Sequence, residues 1–149
     1  MLADITRVCL IGLVRFLVGA SARWVAAPQT AQSIYFTNHS SHLDTLALWV
    51  ALPPAIRATV RPVAAKDYWG RGKIKPFIAL KVLNAVLIER EFSRHSNPLA
   101  PLLEALAQGD SLIIFPEGTR QELDAAPDYK PGVAAIYGML NIPCVPLAN

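Results

Sequence analysis

Two runs constrain the fold more than any other feature of this chain: SLIIF at residues 111–115 and NAVLI at residues 84–88. After its first residue, each keeps apolar side chains at every position, not at every second one. Successive side chains of a strand point to opposite faces, so such runs suit strands buried on both sides, as in a parallel sheet covered by helices. Strand-like segments are read near residues 33–37, 60–65, 84–89, 111–115 and 143–147. Between them lie helical candidates near 41–51, 74–82, 97–108 and 131–140, where apolar spacing such as Leu99, Leu102, Leu103 and Leu106 sets the period. Pro53-Pro54 closes one helix, Asn97-Pro98 opens another, Gly109-Asp110 follows its end, and Pro131 suits a first turn. Strands alternating with helices predict an α/β fold: a mostly parallel sheet flanked by helices.

A length of 149 residues supports one core and not two. The composition is 53% hydrophobic and only 17% charged, with a mean hydropathy of +0.34. With a formal charge of +3, it suggests a protein that sits against membrane or covers a lipid-like ligand. No stripe of lysines interleaves with aromatics, so nucleic acid is not an expected partner. Cys9 and Cys144 lie far apart in apolar surroundings and read as two buried thiols in a reducing compartment. No metal is expected, because His39 and His42 have no third ligand at conventional spacing. Glycine-rich phosphate loops and a G-x-S-x-G elbow are also missing.

The amino-terminal segment reads as a helix over about residues 5–24, interrupted by Arg7, Arg15 and Arg23. Its uninterrupted apolar run, Val8 to Val14, falls far short of the ~20 residues a membrane span needs. Burying Arg15 near mid-bilayer would cost roughly 2.5–3.5 kcal/mol. An interfacial helix fits better, with the arginines at lipid headgroups and Leu10, Leu13, Phe16 and Leu17 facing acyl chains. A packed structural helix, and a span or signal peptide, are the other two readings. The expected organisation is therefore a membrane-associated helix at residues 1–27 and one domain at residues 28–149.

In open parallel sheets, ligands gather beyond the carboxyl ends of the strands. Three polar clusters fall there: Asn38-His39, Glu89-Arg90 and Glu117-Gly118-Thr119-Arg120. On one regular helix, His39 and Asp44 would point about 140° apart. They meet only if His39 sits in the turn before the helix. With Ser41 as N-cap, Asp44 is the N3 residue of an S-x-x-D capping arrangement, favoured there by the helix dipole. From that position it can accept a hydrogen bond from one ring nitrogen of His39 and leave the other free as a base. A plain helix cap with His39 as a turn residue is the bland alternative.

In the second cluster, Gly118 permits close backbone approach, Thr119 adds a hydroxyl, and Arg120 offers a planar fork suited to phosphate. A loop held by a surface Glu–Arg pair is its plain counterpart. Arg90 directly follows a buried strand and calls for an anionic partner, either a ligand or a neighbouring acid such as Glu89 or Glu91. Lys66 could add charge at the end of the second strand or simply face solvent.

Asn38-His39-Ser-Ser-His-Leu-Asp44 resembles the N-H-x-x-x-x-D signature of the glycerolipid acyltransferases, the 1-acylglycerol-3-phosphate acyltransferase family. Phe115 to Arg120 resembles that family's F-P-E-G-T-R block, and NAVLIER its strand ending in arginine, here Arg90. IPCVPLAN resembles the fourth block, with its proline at Pro146. Asn84 stands where a glycine is usual in the family. The four blocks occur in the family's order over about residues 34–149.

The resemblance implies an enzyme in which His39 acts as general base and Asp44 orients it. Arg90, Glu117, Gly118, Thr119 and Arg120 would bind the acceptor. It implies transfer of an acyl group from acyl-CoA or acyl-carrier protein, as co-substrate and with no cofactor, to lysophosphatidic acid. The product would be phosphatidic acid, made at the cytoplasmic face of a membrane. Another acceptor, such as glycerol-3-phosphate or a different lyso-lipid, and a truncated non-catalytic membrane-binding domain are the alternatives. Chains of this kind normally continue well beyond the fourth block, so a C-terminal part of the domain is expected to lie outside this sequence.

Overall fold

The computed structural model of the chain describes residues 1–19, 30–38, 41, 43–89, 97, 99–117 and 132–147. The elements are α1 (Leu2–Val18), β1 (Ile34–Phe36), α2 (Asp44–Ala51), α3 (Pro54–Arg57), β2 (Val60–Ala65), α4 (Lys66–Trp69) and α5 (Ile74–Pro76). A π-helical segment (Phe77–Val82) precedes β3 (Val86–Ile88), followed by α6 (Ala100–Ala107), β4 (Ser111–Ile114), α7 (Gly132–Leu140) and β5 (Cys144–Pro146).

All pairings are parallel, in the order β3-β2-β4-β1-β5. The α/β architecture and every strand position agree with the sequence expectation to within two residues. The apolar runs explain the two-sided burial. Along β4, Leu112 and Ile114 enter one core and Ile113 the other; along β1, Ile34 and Tyr35 divide the same way. One face is covered by α1, α2, α3 and the π segment through Val14, Trp49, Val50, Ile56, Ala79 and Leu83. The other is covered by α6 and α7 through Leu102, Ala105, Leu106 and Ile136.

Local details depart from the reading in instructive ways. Pro54 occupies the first turn of α3, so the Pro53-Pro54 pair both closes α2 and opens a further turn. The segment at 74–82 is not one regular helix. Its second half widens, with Leu83 N–H donating to the Ile78 carbonyl at 2.9 Å and Ala85 N–H to that of Ala79 at 2.7 Å. Asn84, at the position where a glycine is usual, has φ 52°, in the left-handed region. Asparagine is among the side-chain-bearing residues that best tolerate this conformation, so it can stand where the resemblance leads one to expect a glycine.

The helix α1 stops at Val18, where Gly19 takes φ 64° and donates its N–H to the Arg15 carbonyl. The expected continuation to residue 24 lies outside the described residues. Among the described residues, no helix is long and apolar enough to cross a membrane. Leu13, Phe16 and Leu17 point outward as expected, and Phe16 is 86% exposed. Two expectations for this helix are corrected. Leu10 packs against the core, and Cys9 is exposed rather than buried, because it lies on the outward stripe with Leu2, Ile5 and Phe16. Arg7 also turns inward, with Nε donating to the Val82 carbonyl at 2.9 Å and Nη2 to that of Lys81 at 3.2 Å. Cys144 is half-buried, and desolvation raises its thiol pKa.

Candidate active site

The strand order decides which loops can meet. β1 and β4 are hydrogen-bonded neighbours, with Phe36 opposite Ile114. The segments that begin at Thr37 and Phe115 therefore leave the sheet side by side, about 4.8 Å apart at the strands. One leads through Asn38 to His39 and on to Asp44; the other leads to Glu117. On the far side of β4, Ala65 of β2 lies opposite Ile88 of β3, so Lys66 and Glu89 also emerge together. The described members of the polar clusters singled out in the sequence, Asn38, Glu89 and Glu117, belong to this one end of the sheet.

Asp44 is the first residue of α2 and is half-buried. Its Oδ2 accepts a hydrogen bond from the Ser41 N–H at 2.7 Å, while Ser41 Oγ accepts one from the Leu43 N–H at 3.2 Å. Only half of the expected capping arrangement is present: Asp44 accepts the Ser41 N–H, but Ser41 Oγ takes the Leu43 N–H and not that of Asp44, and the placement is corrected as well. The regular helix starts at Asp44, with Leu43 as its cap residue, because the 41–43 segment is a turn closed by Asp44 N–H to the Ser41 carbonyl at 3.2 Å. The turn fixes the Asp44 carboxylate in the first helical turn, where its charge is favoured by the N-terminal dipole.

Glu117 ends the other segment and is only 3% exposed. That burial does not suit the surface loop offered as its plain alternative. A carboxyl group taken out of water at a strand end needs polar company. Phe115 is half-buried and Pro116 buried beside it. His39, Arg90, Gly118, Thr119 and Arg120 lie outside the described residues.

The structure adds one contact that the sequence left open. Lys66 Nζ meets Glu89 Oε1 at 3.1 Å, with both side chains at least half exposed. Glu89 therefore takes Lys66 as one partner. Nothing local in the sequence joins residues 23 positions apart; only the pairing of β2 with β3 does so. Among the described residues, no group of three or more histidine, cysteine, aspartate and glutamate side chains is placed to hold a metal.

Comparison with known proteins agrees with this layout. The chain is 29% identical over 117 residues to a probable 1-acyl-sn-glycerol-3-phosphate acyltransferase of Mycoplasma pneumoniae, an alignment covering 74% of this chain and 41% of that protein. Its fold matches the crystal structure of the 1-acyl-sn-glycerophosphate (LPA) acyltransferase PlsC from Thermotoga maritima with a TM-score of 0.62. That match is 19% identical and covers 95% of this chain and 58% of that one. The chain thus spans between two-fifths and three-fifths of the length of these relatives. The family model described as Acyltransferase matches residues 25–149, from ahead of β1 through β5, and the chain belongs to that family.

Proposed function

We propose that this domain transfers an acyl group from a thioester donor, acyl-CoA or acyl-carrier protein, to the free hydroxyl of lysophosphatidic acid, forming phosphatidic acid. In this reading His39 removes the hydroxyl proton as the oxygen attacks the thioester carbonyl. Collapse of the tetrahedral intermediate expels the thiolate, which takes up that proton, and no acyl-enzyme forms. Asp44 orients the imidazole. Backbone amides near the site stabilise the oxyanion. Arg90, Glu117, Gly118, Thr119 and Arg120 hold the glycerol phosphate of the acceptor. A histidine suits base duty near neutral pH, since its ordinary pKa lies close to it.

The observation that carries this reading is the adjacency of β1 and β4. It brings a carboxylate fixed at the start of α2 and a buried carboxyl at the end of β4 to the same end of the sheet. The family membership supports the reaction class, and the activities for which the relatives are named support the acceptor. The outward stripe of α1, with Leu2, Ile5, Leu13, Phe16 and Leu17 exposed, supports docking of the protein on a membrane surface, where the acceptor resides.

The test is acyl transfer by the purified 149-residue chain, with labelled acyl-CoA and lysophosphatidic acid. His39→Ala is expected to abolish phosphatidate synthesis, and Arg120→Ala to raise the acceptor KM while sparing that of the thioester. Phosphatidate formed undiminished by His39→Ala would sink the catalytic assignment.

A further inference from the structure

At the opposite end of the sheet, beside the amino ends of β2 and β3, lies a pocket of about 450 Å³. Arg7, Trp49, Arg57, Val60, Lys81 and Asn84 are among the residues that line it, and among the described residues its lining contains no carboxylate. The centre of its wall is a stack: the Arg57 guanidinium lies over the Trp49 ring, 5.3 Å from the centroid. Arg57 Nη2 donates to the Leu52 carbonyl at 2.8 Å. Arg57 Nε and Trp49 Nε1 are buried without a hydrogen-bond partner. Both orphaned atoms are donors, which favours an acceptor as the missing partner. Among the described residues Arg57 has no acid paired to it, although Arg7 at the same pocket pairs with Asp4, and an unpaired guanidinium favours an anion. The neighbouring charges are mixed: Arg15 adds to the positive side and Asp4 subtracts from it. Desolvation, and secondarily the charge of Arg15, holds the Arg57 pKa below its usual value. Asp4 offsets Arg7 from the solvent side at 3.4 Å.

We propose that this pocket takes the phosphate of an anionic phospholipid headgroup, at a site separate from the acceptor site at the carboxyl end. The assignment rests on the membrane reading of α1. An interfacial helix sinks its apolar face about 5–10 Å into the headgroup–acyl boundary, and a helix is roughly 10–12 Å across. With the Phe16 stripe in the acyl region, the phosphate layer lies level with the inner side of α1. That is where Arg7 reaches the π segment and the Arg57–Trp49 stack sits. A soluble phosphate would meet the same donors without the help of α1, so the two sources can be separated.

The experiment measures co-sedimentation of the full chain with phosphatidylcholine vesicles and with vesicles containing phosphatidylglycerol. It also follows Trp49 emission in a Trp24→Phe/Trp69→Phe background. The intact chain is expected to prefer the anionic vesicles. Arg57→Gln should lower affinity for them about fivefold, the usual worth of one cation at an anionic surface, and leave phosphatidylcholine binding unchanged. Lys81→Ser, an exposed position, should act in the same direction and serves if Arg57→Gln does not fold. Arg71→Ser removes the same charge from the other end of β2 and should have a clearly smaller effect. Equal losses from Arg57→Gln and Arg71→Ser would reduce the preference to diffuse electrostatics and overturn the site. Saturable quenching of Trp49 by inorganic phosphate, with no response to anionic vesicles, would assign the pocket to a soluble anion and overturn the lipid. Phe16→Asp should weaken binding to both vesicle types; unchanged binding would remove the α1 reading and the lipid assignment with it. Acyl transfer to lysophosphatidic acid, measured separately, reports on the catalytic reading whatever the vesicles show.

Discussion

At the amino end of the sheet, Arg7, Arg57 and Arg61 each give a guanidinium N–H to a main-chain carbonyl, those of Val82, Leu52 and Asn84. Gln32 does the same with its amide, donating to the carbonyls of Leu106 at 2.6 Å and Asp110 at 2.9 Å. The carboxyl end has the reverse chemistry: Asp44 accepts a main-chain N–H, and Glu117 is buried. Donor-bearing side chains tie off exposed carbonyls where helices return to the sheet. Acids are held in place where the strands deliver their loops. The first arrangement serves stability, and the second belongs to the end of the sheet where the proposed reaction would take place. Substitutions at the two ends should therefore separate activity from stability.

The largest effect is expected from Asp44→Asn. The amide can still accept the Ser41 N–H, so the melting temperature should move little. The rate should fall by roughly 100-fold or more, the scale of a lost general-base partnership; a variant with unchanged kcat would reduce Asp44 to a cap. Next comes Asn84→Val. It places a β-branched residue at φ 52° and should cost about 1–2 kcal/mol in denaturant unfolding, whereas Asn84→Gly should change stability by only a few tenths. Arg61→Ala removes the bond to the Asn84 carbonyl at 2.9 Å and the pair with Asp110 at 3.2 Å. It should cost about 1 kcal/mol with the acceptor and donor KM values untouched. The smallest effect belongs to Lys66→Ser. Its exposed pair with Glu89 should contribute at most about 0.5 kcal/mol, measurable by a double-mutant cycle with Glu89→Gln.

The same contrast explains what the sequence made legible. Strands buried on both sides, as β4 is, leave an apolar run with no competing period, and the less buried β2 and β5 were legible from their place between turn signals; with the strands came the end of the sheet where polar clusters gather. Asp44 was legible because S-x-x-D is a local signal. Its exact place was not, since the turn at 41–43 depends on how the chain leaves β1. The widened helix at 77–82 was hidden for a similar reason: tertiary packing of Ala79, Val82 and Leu83, together with the left-handed Asn84, sets its register. The arginine–carbonyl bonds join Arg7 to Val82 and Arg61 to Asn84. Such contacts across 75 and 23 residues have no counterpart in local pattern. Cys9 and Leu10 were misassigned because an apolar helix shows no period from which to tell its inner face from its outer one.

The place of β4 between β2 and β1 also governs how the molecule is made. A ribosome releases the chain from Met1 onward, so β1 and β2 emerge well before the strand that must separate them. Until residues 111–114 arrive, neither can find its permanent neighbour on that side, and Ile34 waits for Leu112. Closing such distant contacts is slow, and the waiting strands offer open edges to any other nascent chain. The two carboxyl-end loops come together in the same late step that seals those edges. A newly synthesised copy should therefore gain protection from aggregation and the juxtaposition of its two carboxyl-end loops at the same moment.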